Sequence, residues 1–86
     1  MIFDQIRRLR EPSIRIPLWL LRHASGHTIE CSMRTHPDGL EFQAKLNTRL
    51  LHSEVFGSVE ELMRSAERGK GRLQSRGWTA IAADSN

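Results

Sequence analysis

Two stretches of the chain alternate strictly between apolar and polar residues. In the first, Ile29, Cys31 and Met33 share one parity while Thr28, Glu30, Ser32 and Arg34 hold the other. In the second, Leu40, Phe42, Ala44 and Leu46 alternate with Glu41, Gln43, Lys45 and Asn47. A period of two marks a half-buried β-strand. Between them, His36-Pro37-Asp38-Gly39 is strong turn chemistry, so the pair predicts a hairpin with one wet face. Ser13 to His23 reads as an earlier strand of another kind. Ile14, Ile16, Leu18 and Leu20 are apolar on one parity, and Trp19 and Leu21 on the other. Such a strand is either covered on both sides or leaves one face for a partner. Thr48 to Phe56 reads as a further strand, in which Leu50-Leu51 hides the parity that faces the core.

The period changes at Ser58. Ser58 and Glu61 form a capping box, and Val59, Leu62, Met63, Ala66 and Leu73 then recur at helical spacing as one apolar stripe. Glu60 and Glu61 suit the positive first turn, and Arg72 and Arg76 the negative last turn. Gly77 suits a left-handed residue after the helix, with Trp78 folding back on Leu73. The pattern predicts a helix over Val59 to Arg76, packed on Ile29, Met33, Phe42 and Leu46. Gly69 and Gly71 interrupt it at about 1 kcal/mol each relative to alanine, and mark a kink or a close packing contact. Upstream, Met1 to Glu11 has the pattern of a short amphipathic helix with Asp4 as N-cap and Pro12 as its stop. The expected architecture is α+β: an antiparallel three- to four-stranded meander with one long C-terminal helix on one face, after a short N-terminal helix. In ranges, 1–12 is an N-terminal segment, 13–79 a single domain, and 80–86 a tail without pattern that frays.

A hairpin, a turn rich in Pro and Gly, Ser53-Glu54-Val55-Phe56 before the Ser58 cap, and a helix ending Arg76-Gly77-Trp78 occur together between Trp19 and Trp78. This combination resembles small bacterial proteins of unassigned function. The shared motifs are structural, so the resemblance implies a fold and no activity.

Charge adds a map. Thirteen Lys and Arg against ten Asp and Glu give a formal +3, and the positive excess sits at the two ends of the chain. Arg7, Arg8 and Arg10 in the first segment, with Arg68, Lys70, Arg72 and Arg76 in the helix, are the candidate nucleic-acid contacts. The single Cys31 excludes an intrachain disulfide, the apolar runs are too short to cross a bilayer, and no signal peptide is apparent; a cytoplasmic protein is expected.

Catalytic chemistry finds little footing. His23, His27, Cys31 and His36 invite a metal, but Cys31 sits on the apolar parity and the histidines lie at opposite ends of a strand. Ser25 near His27 lacks an orienting acid, and Gly69-Lys70-Gly71 is no phosphate loop. The expectation is a non-enzymatic binding or regulatory module without metal or cofactor, acting through protein contacts. The first strand carries that expectation: Pro17, Trp19 and Leu21 form the candidate interface of a homodimer. The alternative is a nucleic-acid binder using the arginine clusters.

Overall fold

A computed structural model describes residues 15–81 of the chain. A meander of β1 (Arg15–Arg22), β2 (Thr28–His36), β3 (Gly39–Leu46) and β4 (Arg49–Phe56) leads into helix α1 (Val59–Gln74) and a short β5 (Thr79–Ala80). The strands form one antiparallel sheet in the order β4-β3-β2-β1-β5, with the helix as the second layer. The α+β architecture is as expected, with one strand more. After α1 the chain returns to β1, setting Ala80 opposite Leu21 and Thr79 opposite Arg22. The Ile81 N–H then donates to the Leu20 carbonyl at 2.9 Å. The tail expected to fray from residue 80 is therefore paired at Ala80 and Ile81. The helix expected over Met1 to Glu11 lies outside the described residues.

The two-faced pattern of β1 has a local cause. Pro17 stands opposite Ser32 and Trp19 opposite Cys31, so Leu18 is an extra residue in a β-bulge. Pro17 has no N–H to place in the ladder and sits where the ladder is already interrupted. The bulge switches parity, so Ile16, Trp19 and Leu21 all turn toward the face that carries Ile29, Cys31 and Met33. A second bulge explains the leucine pair of β4. Leu50 pairs with Lys45 and His52 with Ala44, leaving Leu51 as the extra residue. Leu50 and Val55 thereby share the outer face with Lys45 and Glu41, while His52 and Glu54 share the inner face with Ala44 and Phe42.

The core lies between that inner face and α1. Trp19, Leu21, Ile29, Cys31, Met33 and Phe42 from the sheet meet Leu62 and Ala66 from the helix, with Leu46, Met63, Leu73 and Trp78 packed around them. Val59, expected in the buried stripe, is instead 47% exposed. Ser58 Oγ accepts the Glu61 N–H at 3.2 Å. At the other end Gly77 takes φ +96°, its N–H reaches the Gln74 carbonyl at 3.2 Å, and the Trp78 N–H reaches the Leu73 carbonyl at 3.1 Å. That is the paired closure of a Schellman motif, and it ends the regular helix at Gln74 rather than Arg76. The helix is continuous through Gly69 and Gly71, and a Cβ on either would meet nothing within 4 Å.

The outer face is wet but ordered. Arg15 Nη2 lies 2.6 Å from Glu30 Oε1, and its Nε donates to Ser32 Oγ at 3.3 Å. Arg34 Nε donates to Glu41 Oε1 at 2.7 Å. Ser32 and Glu41 are buried beneath these contacts although no apolar layer of the described residues covers them.

Candidate functional site

The three residues expected to form an interface separate. Trp19 is 8% exposed and Leu21 is fully buried, both beneath α1, and only Pro17 is exposed. The parity switch at Leu18 is the physical reason: it hands the aromatic and leucine surface of β1 to the chain's own helix. A homodimer through Trp19 and Leu21 would have to open the core.

The candidate chemistry of histidine, serine and cysteine is spent locally. His23 Nδ1 lies 2.9 Å from Ser25 Oγ and accepts the Ser25 N–H at 3.1 Å, so Ser25 associates with His23 and not with His27. The His23 ring packs at a tilt against Trp78, 5.2 Å between centroids. His27 Nδ1 faces the Asn47 amide at 3.2 Å, His36 Nδ1 accepts the Asp38 N–H at 3.0 Å, and His52 lies 3.3 Å from Glu54. Among the described residues, no three His, Cys, Asp or Glu side chains are placed to share a metal ion. Cys31 is fully buried, and burial first, then the charges of Glu67 and Glu30, push its thiol up to about 12. A neutral buried thiol is a poor nucleophile.

Three surface features remain. The first is the edge of the sheet. β4 is paired only to β3 among the described residues, and all of it but Phe56 is exposed, including Leu50 at 51%, Leu51 at 54% and Val55 at 41%. The second is a ridge on α1. Arg64, Arg68, Arg72 and Arg76 are all exposed and follow one another at intervals of four. Within α1 each interval advances about 6 Å and turns about 40° around the axis, so Arg64, Arg68 and Arg72 form one slanting row, and Arg76 follows in the turn that closes the helix. Lys70 lies outside this row, and Arg7, Arg8 and Arg10 lie outside the described residues. The spacing was present in the sequence as a period of four, hidden by treating the cluster as a sum of charges.

The third feature is a groove of about 260 Å³ between the C-terminal half of α1 and the sheet. Trp19, Phe42, Leu51 and Leu73 supply apolar walls, and Arg72 and Arg76 stand at its mouth. Neither arginine is in an ion pair among the described residues. The groove exists because α1 starts from the β4 end of the sheet and finishes beside β1, leaving the first half of β4 without helix above it.

Compared with known proteins, the chain matches no family model, no curated sequence and no solved structure.

Proposed function

We propose that the protein is a non-enzymatic module acting through protein–protein contacts, and that its first partner is a second copy of itself joined along β4. The open β4 edge carries this reading. Among the described residues its outer backbone groups are unpaired; it is an eight-residue strand without proline and with three exposed apolar side chains, the kind of edge that proteins ordinarily blunt or pair. Its sequence also complements itself. Antiparallel pairing with Ser53 on the two-fold axis sets each His52 opposite Glu54 of the partner subunit. Both belong to the same face of the sheet, as cross-strand partners must. The same register brings each Val55 to the Leu50-Leu51 bulge of the partner subunit. The pairing is isologous and closes, so it stops at a dimer.

Sedimentation of the wild type and two charge variants tests this. The wild type sediments as a dimer at tens of micromolar, an order expected of a modest interface. His52→Glu places like charges opposite each other and yields a folded monomer. Adding Glu54→Lys to that variant restores opposite charges and the dimer. A wild type that stays monomeric, or a His52→Glu variant that still pairs, refutes the β4 interface.

The arginine ridge favours a second reading, nucleic-acid binding through phosphate contacts. Three guanidinium groups at intervals of about 6 Å along α1, with Arg76 in the turn beyond them, can track a phosphate backbone. Phosphate-driven binding weakens steeply with salt, by a slope proportional to the number of contacts. Retention of generic DNA or RNA at low salt, lost at moderate salt and in Arg68→Gln with Arg72→Gln, supports this reading; no retention at low salt removes it.

A further inference from the structure

Gly69 stands where the helix should carry an apolar side chain. Leu62, Ala66, Gly69 and Leu73 follow the four-, three- and four-residue steps of one helix face, and the other three pack into or against the core. A glycine there weakens the helix by about 1 kcal/mol relative to alanine. No close approach of backbone or side chain requires it, since a Cβ would meet nothing within 4 Å. The position does not admit a packing partner; it leaves space. That space is the groove, which Gly69 itself lines.

The groove has the two chemistries of an amphipathic site. Its interior is aromatic and aliphatic, from Trp19, Phe42, Leu51 and Leu73, and its mouth carries Arg72 and Arg76. At about 260 Å³ and open to solvent on one side, the groove has room for a small apolar body. Arginine presents a planar fork that matches a carboxylate. Mostly apolar walls with a few convergent polar groups are the usual composition of small-molecule sites.

We propose that this groove binds a small apolar carboxylate of bicyclic-aromatic or medium-chain size. The apolar body lies over Trp19 and Phe42 in the space left by Gly69, and the carboxylate meets Arg72 and Arg76. The site lies within a single subunit, and Leu51 and His52 of β4 border both the groove and the proposed seam.

Titration with 2-naphthoate, followed by calorimetry and, in a Trp78→Phe background, by the fluorescence of Trp19, tests the proposal. One molecule binds per chain, and the neutral analogue 2-naphthalenemethanol binds about tenfold more weakly, as expected when one charge-assisted contact is lost. Gly69→Leu fills the groove, so binding disappears while the melting temperature rises. The exposed pair Arg72→Gln and Arg76→Gln leaves the fold intact and lowers affinity for the acid to that for the alcohol. The proposal is overturned by no saturable binding at millimolar naphthoate, equal affinity for acid and alcohol, wild-type affinity in a folded Gly69→Leu protein, or wild-type affinity in the arginine pair. Naphthoate that binds only by dissociating the dimer also overturns it, and assigns the groove to the second copy.

Discussion

The indole Nε1 of Trp19 donates to the backbone carbonyl of Ala66 at 3.1 Å, a buried hydrogen bond between β1 and α1 across 47 residues of sequence. Ala66 is itself fully buried, so the bond sits at the centre of the sheet–helix interface. It fixes which turn of the helix lies over β1, because a ring that large carries its polar atom to only one depth. The same contact anchors in the core a tryptophan that the sequence alone offered to a partner.

Trp19→Phe keeps most of the apolar contact and removes the donor. A net hydrogen bond contributes about 0.5–1.5 kcal/mol, so the variant melts several degrees lower but cooperatively. Leu62→Ala, at a fully buried position, removes packing and leaves a cavity; a loss of about 2–5 kcal/mol is expected, enough to unfold much of so small a domain. Thermal melts by circular dichroism rank the two. An unchanged Leu62→Ala protein would mean that α1 does not pack on this sheet.

Two glycines are expected to respond in opposite directions. Gly71 lies on the exposed surface of α1 with open space around it, so Gly71→Ala raises stability by about 1 kcal/mol. Gly39, in the β2–β3 turn, has φ +146°, and a Cβ there would collide with the Phe56 carbonyl oxygen. Gly39→Ala therefore loses stability, by about 1–3 kcal/mol from backbone strain alone. Urea midpoints of the two variants on either side of the wild type are the expected result.

The outer face predicts a response to acid. The Arg34 guanidinium, hydrogen-bonded to Glu41, holds that carboxyl below its ordinary value of 4.5, with Gln43 assisting and burial opposing. A carboxylate with a lowered folded pKa stabilises the fold above 4.5, and that contribution is lost as pH falls through the folded value. Wild-type melting temperature thus declines more steeply on acidification than that of Glu41→Gln. Parallel pH profiles for the two proteins would show that the Arg34–Glu41 pair contributes nothing to stability.

Cys31 predicts the alkaline side. Its folded thiol is raised from 9.0 to about 12, so the folded state holds the proton more tightly. Stability from this group is full below pH 9 and declines as pH rises toward 12. Cys31→Ala flattens the alkaline slope whatever its effect at neutral pH. At pH 8, Ellman's reagent labels the wild type only as fast as the protein opens, and immediate labelling of the folded protein would contradict the burial.

Much of the architecture follows from local rules that act within a few residues. The β2–β3 hairpin, its turn and the capped start of α1 are fixed by alternation, by Pro37-Asp38-Gly39 and by Ser58 with Glu61. Each of these interactions is complete within its own segment, so the sequence determines them without reference to the rest of the chain. Three matters required the tertiary structure. The faces of β1 and β4 depend on bulges at Leu18 and Leu51, and a one-residue insertion is set by pairing with the neighbouring strand. The fifth strand, two residues long, has no period to read and exists because the Gly77 turn delivers Thr79 and Ala80 to the edge of β1. Pro17, Trp19 and Leu21 looked like an interface because an apolar residue in sequence carries no label for which surface will cover it. The crossing of α1 decided that, burying Trp19 and Leu21 and leaving the β4 edge and the groove beside Gly69 uncovered among the described residues.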